Sequence, residues 1–327
     1  MEEFKAIEFH EARDFGKKIN TVFEFIKQNF KPMGKSILFI AGPAVLIGSI
    51  FMGSFFTEFI VRAFNPRATS PEETLRYFSS YSFWAGMAMM YLMLILSYVM
   101  SLATINSYAW LYGQKKSNQI EVREVWEKTR SILWTYLGSM LLILVCTIVI
   151  TLAVAVLAIL VQQISTVFMI VLIIVAFIFV IYLAGGISLI FFIQVNEGTG
   201  FFEAAARSLK LVSGKWWSTF GISMVLSMIG GAISYIFIIP YYIFMFVSMF
   251  NSASAGQGIE MSPTFKTVSF IFLTLYYMSQ MLLQSLPSVG LVFQYFNLVE
   301  LKEAKGLMGD IENFGKPTED NSRQETY

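Results

Sequence analysis

The sequence predicts an all-α fold: a polytopic transmembrane bundle of six spans. Three observations carry that prediction, namely the length of the uncharged runs, the uneven placement of Lys and Arg between them, and the aromatic residues gathered at their ends. A helix needs roughly 20 apolar residues to cross about 30 Å of hydrocarbon, at about 1.5 Å of rise per residue. Five uncharged runs satisfy this: Ser36–Thr57 (22 residues), Tyr77–Gln114 (38), Ser131–Asn196 (66), Trp216–Ile259 (44) and Thr267–Val299 (33). A chain of 327 residues that is 56% hydrophobic and 14% charged does not have the composition of a water-soluble domain. The runs are continuously apolar rather than alternating, which disfavours a β-barrel.

Taken in order, residues 1–35 are expected to form a segment outside the membrane that carries an amphipathic helix. Phe15, Ile19, Val22, Phe23, Ile26 and Phe30 draw one helical stripe, the opposite face holds Lys17, Lys18, Asn20, Glu24, Lys27 and Lys31, and Pro32 is expected to end the helix. Its lysines would reach lipid phosphates. Residues 36–299 form the membrane domain. The first span lies near 36–57. The second, near 83–108, stays single because Phe83-Trp84 and Tyr108, Trp110 and Tyr112 make belts about one bilayer apart. The 66-residue run must fold back, and Gln162, Gln163 and Ser165 are its polar interruption, giving spans near 132–160 and 166–194. The last two lie near 217–247 and 268–293. The tail, 300–327, starts as a helical continuation and then reads as disordered.

Counting Lys and Arg gives 19 on one side (the N-terminal segment, the second and fourth loops and the tail) and four on the other. That excess predicts both termini in the cytoplasm. No cleavable leader is visible, and the first apolar run is expected to act as a signal anchor. A net charge of +1 gives no support for nucleic acid as a partner.

Two further amphipathic stretches precede the third and fifth spans: Val122, Val125, Trp126, Thr129 and Leu133, then Phe202, Ala205, Ala206, Leu209 and Val212. At all three boundaries an aromatic stands four residues before a glycine, as Phe30 and Gly34, Trp134 and Gly138, and Trp217 and Gly221. The pattern predicts three cytoplasmic interfacial helices and a degenerate threefold repeat of interfacial helix, span, span. Phe30, Trp134, Lys215, Trp216 and Trp217 are the expected interfacial anchors, touching membrane lipid, and Glu203 could pair with Arg207 one turn away.

Enzyme chemistry finds no footing. One histidine, His10, and one cysteine, Cys146, supply no metal-ligand set, and neither a phosphate-binding loop nor a serine–histidine arrangement is present. No Asp, Glu, Lys, Arg or His lies within the six expected spans, which disfavours a proton relay. No catalytic residue, cofactor or metal is expected. Uncharged polar residues do align: Ser97, Ser101, Thr104 and Tyr108 share one face of the second span, and Tyr277, Gln280, Gln284 and Ser288 share one face of the sixth. They read either as hydrogen-bonding glue between helices or as a polar groove whose candidates are Ser97, Ser101, Thr104, Gln280, Gln284 and Pro287. Pro287 with Gly290 predicts a broken sixth helix lining a cavity. Ser223, Ser227, Gly231 and Ser234 read as a close-packing surface of small residues.

The stretch Phe201–Pro240 resembles a segment shared by a group of bacterial six-span membrane proteins of unassigned function, including the membrane domain fused to glycerophosphoryl diester phosphodiesterases. The residues that carry the likeness are Ala204 to Ser208, Gly214-Lys215, Trp216-Trp217 and Pro240. The resemblance implies a six-span bacterial inner-membrane protein and carries no catalytic residue. The leading functional expectation is a non-catalytic scaffold or accessory subunit with a protein partner at its cytoplasmic face; the alternative is a transporter or lipid-handling protein for a neutral or amphipathic substrate.

Overall fold

The computed structural model describes residues 5–64, 70–254, 263–304 and 308. Its elements are α1 (Phe15–Ile40), α2 (Gly42–Phe64), α3 (Pro71–Phe78), α4 (Tyr81–Lys115), α5 (Val122–Gln162), α6 (Thr166–Ile187), α7 (Ile190–Glu197), α8 (Phe201–Val212), α9 (Trp216–Ser254), α10 (Pro263–Leu283) and α11 (Ser285–Glu303). Among the described residues there is no strand. Among the described residues five helical stretches are long and apolar enough to cross a membrane, or six if α1 with the first half of α2, bent by 57°, counts as one broken span. The chain is a membrane-embedded helical bundle. Most of the tail expected to be disordered lies outside the described residues.

The three boundaries expected to repeat take three different forms. Pro32 does not end α1, which runs eight residues further. A proline removes the hydrogen bond to the carbonyl four residues back. That carbonyl, on Gln28, instead accepts from Asn118 Nδ2 at 3.4 Å, so the helix continues and bends only at Ala41. At the second boundary α5 passes through Trp134 and Gly138 without a break. Only α8 is a separate helix. It is set off by Gly198 and Gly214, whose φ values of 69° and 75° a side chain would strain.

The arc that the first helix buries overlaps the stripe read as apolar at Val22, with Ile19 and Ile26 packed against the core, but is rotated from it. Lys18, Val22, Phe25, Asn29, Met33 and Ile37 face inward, while Phe15, Phe23 and Phe30 stay exposed. Beside lipid, apolar side chains gain little by leaving the surface, whereas polar groups need partners and find them inside. Asn29 illustrates this: its Nδ2 donates to the Phe25 carbonyl and its Oδ1 accepts from the Tyr108 hydroxyl of α4, both at 2.8 Å.

The core gathers around α11, buried from Ser285 to Val299 except for a partly exposed Leu291. Phe293 and Phe296 meet Phe9 of the N-terminal segment at ring-centroid distances of 5.2 and 4.9 Å, and Phe25 packs on Tyr112 at 4.8 Å. Gly290 lets α9 approach closely, since a Cβ there would stand 2.3 Å from Leu226 Cδ1 and 3.1 Å from Ile222 Cγ2. The buried seam of α9 is therefore Ile222, Leu226, Gly230 and Ser234. Ser223, Ser227 and Gly231, expected to form it, lie one position round the helix, where they are not buried.

In contrast, the upper halves of α5 and α6 pack on little beyond each other. The last buried residue of α5 is Ser139, and α6 buries only Gly185 and Gly186.

Gly290→Ala is expected to lower stability by about 1–3 kcal/mol through overpacking against Leu226 and Ile222, read as a reduced thermal midpoint in detergent. Gly138→Ala, with open space around it, is expected to change the midpoint little.

Candidate functional site

Two cavities meet at the junction of α10 and α11. The first, about 300 Å³, lies between α2, α4 and α10 and is lined by Val45, Gly48, Ser49, Leu94, Ser97, Tyr98, Ser101, Tyr277, Gln280, Met281 and Gln284. The second, about 390 Å³, lies between α4, α5, α6, α7, α9 and α11, and its polar lining is Tyr98, Asn106, Ser188, Ser223, Ser227, Gln284 and Ser288. Tyr98 and Gln284 belong to both.

The local sequence explains this joint. Pro287 has no N–H for the Leu283 carbonyl, and the helix is interrupted at Gln284. Gln284 keeps its backbone bond to the Gln280 carbonyl at 2.8 Å, so the interruption is slight. The freed Leu283 oxygen lies against Gly230 of α9, where a Cβ would stand 3.4 Å away. On the other wall, Gly48 brings α2 close to α4, with a Cβ position 3.3 Å from Ser97 Oγ.

Of the six groove candidates, Ser97, Ser101, Gln280 and Gln284 come together around the first cavity, and Pro287 lines the second. Thr104 is a correction. It is fully buried, its hydroxyl donates to the Met100 carbonyl at 2.7 Å, and it lines neither cavity, because α1 covers that part of α4 and Tyr108 is held by Asn29. Ser101 donates across to the Met281 carbonyl at 3.4 Å, and Gln280 Nε2 to the Tyr276 hydroxyl at 3.1 Å. The sequence reading missed Tyr98, which is one position off the serine stripe, and the Gly48-Ser49 pair of small residues in α2. Ser223 and Ser227 line the second cavity rather than a helix seam. Ser288 beside them has a buried hydroxyl with no hydrogen-bond partner among the described residues.

The expected anchors divide. Phe30, Trp134 and Trp217 are 67%, 80% and 79% exposed, and Lys215 is exposed. Trp216 is a correction. Its Nε1 donates to the Tyr182 carbonyl at 2.9 Å, and its ring stacks on Phe220 at 4.8 Å and lies against Gly185, so it locks α9 to α6. Arg207 does not pair with Glu203. It reaches Glu197 at 3.1 Å and grips Glu303 with both terminal nitrogens, while Glu197 also accepts from the Tyr295 hydroxyl at 2.6 Å.

Lys18 is a further correction to the lipid-facing reading. It is 3% exposed, and its Nζ donates to Ser218 Oγ at 2.9 Å and Gln294 Oε1 at 2.8 Å. It lies in the charged part of α1, ahead of the apolar run that begins at Ser36. Burial foremost, then the positive charge of Lys215, pulls its pKa down to about 8, with Asp14 opposing. Among the described residues no group of three His, Cys, Asp or Glu could hold a metal ion.

A base whose pKa falls on folding favours the folded state once neutral. Stability should therefore rise as pH goes from about 8 towards 10, and level off below about 8, where the lysine is charged in both the folded and the unfolded state. Thermal midpoints across that range test this, and Lys18→Met is expected to flatten the slope. Trp216→Ala is expected to cost about 2–4 kcal/mol, against about 0.5 kcal/mol or less for Trp217→Ala, by the same measurement.

No protein-family model, no curated protein and no solved structure matches this chain.

Proposed function

We propose that this membrane protein binds a neutral amphipathic molecule in the first cavity, as a lipid-handling protein or transporter for such a substrate. The observation that supports this is the cavity wall. Gln280 and Gln284 offer amide donors and acceptors, and Ser49, Ser97 and Ser101 offer hydroxyl oxygens as acceptors, their hydrogens being donated to backbone carbonyls. Val45, Leu94 and Met281 offer apolar surface, and no Asp, Glu, Lys, Arg or His takes part among the described residues. A charged head would be desolvated there without a counter-ion, whereas a hydroxyl, ester or amide exchanges water for serine and glutamine. A volume of about 300 Å³ suits a head and the first methylenes of a chain, with the remainder in the bilayer.

A second reading, a non-catalytic scaffold for a membrane partner, is favoured by the exposed apolar halves of α5 and α6. The excess of Lys and Arg supports cytoplasmic termini. Under either reading the exposed Phe30, Trp134, Lys215 and Trp217 would meet membrane lipid at that face. The likeness of Phe201–Pro240 to bacterial six-span proteins supports an inner-membrane location.

Native mass spectrometry of the protein extracted with surrounding lipid tests the first reading. A neutral amphiphile should be retained, and Gln280→Leu with Gln284→Leu should reduce its occupancy about tenfold or more, as loss of two hydrogen bonds implies. Unchanged occupancy in that variant would overturn the reading. A stoichiometric protein partner on a chain without retained amphiphile would favour the scaffold.

A further inference from the structure

We infer that the second cavity is a second seat for the polar head of the same neutral amphiphile, and that Gln284 serves both seats. This rests on the binding role of the first cavity. Both cavities are lined by Tyr98 and Gln284, which hydrogen-bond each other, so this pair of side chains belongs to the wall of each. A primary amide has two donors and an acceptor, and can hydrogen-bond a head group on either side.

Ser288 makes the second cavity more than a packing gap. Its hydroxyl is buried on a residue only 3% exposed, lines the cavity and has no hydrogen-bond partner among the described residues. An unsatisfied buried hydroxyl costs free energy, and a head group that accepts or donates one hydrogen bond removes that cost. Ser223 and Ser227, one turn apart on α9, face the same space. Among the described residues no Asp, Glu, Lys, Arg or His lines this cavity either, so the second seat takes the same uncharged class. Apolar Ile143, Ile187 and Leu291 complete its wall and match a hydrocarbon chain.

The probe is a diacylglycerol with a diazirine near its glycerol end, photolysed with the full chain in lipid nanodiscs and mapped by peptide mass spectrometry. Labelling is expected at both Leu94 and Leu291. Gln280→Leu should reduce labelling at Leu94 alone, Ser288→Ala at Leu291 alone, and Gln284→Leu at both, each about five- to tenfold. Ser227→Trp, placed on an exposed position at the cavity, should block Leu291 labelling and spare Leu94 even if a polar variant folds poorly. Labelling at Leu94 with none at Leu291, or Leu291 labelling indifferent to Ser288→Ala and Ser227→Trp, overturns the second seat and leaves the first intact. Labelling at neither overturns the binding role itself.

Discussion

Three polar side chains within four residues of α11 reach for different parts of the molecule. Gln294 accepts from Lys18 of α1 and donates to Thr219 of α9, Tyr295 donates to Glu197 of α7, and Asn297 accepts from the Arg13 backbone in the N-terminal segment. Beside lipid the burial of apolar surface gives helices little reason to associate, so packing and hydrogen bonds such as these, made at the end of the bundle where the charged segments meet it, fix which helix lies in the middle. That helix is α11, which begins inside the last expected span, near 268–293, and runs ten residues past its end, and it is the most continuously buried of the helices. The cavities follow from the same constraint. Where α11 gives way to α10 the ring of polar bonds stops, and Gln284 and Ser288 are left facing open space.

Much of this architecture can be read from charge alone. The uncharged runs locate the long helices, though α1 and α5 begin well ahead of theirs, because no open backbone is satisfied in lipid. The reversal after Gln162 falls where polarity briefly returns. Helical spacing also placed Ser97 with Ser101, and Gln280 with Gln284, on faces that meet. What the sequence hides are relations between distant segments. Arg207 has an acid one turn away at Glu203, yet its partners are ten and 96 residues distant, because α11 ends beside α8. Pro32 looks like a stop signal until Asn118, from the loop between α4 and α5, supplies the donor that Gln28 lost. Trp216 and Trp217 are adjacent and chemically alike, and only the presence of Gly185 on α6 decides that one is locked and the other faces out.

Lys18 shows why an amphipathic pattern is a weaker guide here than in water. Its neighbours Lys17 and Asn20 are exposed as expected, but one position of rotation puts Lys18 against Ser218 and Gln294. A hydrophobicity count sees one charged face. The bundle sees one long flexible donor able to bridge α9 and α11.

The bare upper halves of α5 and α6 have a mechanical consequence. From Leu141 to Leu160 the helix rises about 30 Å, close to a full hydrocarbon thickness. Yet this stretch is attached to the bundle mainly through its lower end, at Tyr136, Ser139 and the Trp216 lock. A thinner or thicker bilayer can then be matched by tilting this pair alone, as a keel swings under a fixed hull. The α10–α11 joint, braced from several sides, keeps its shape while the pair absorbs the mismatch.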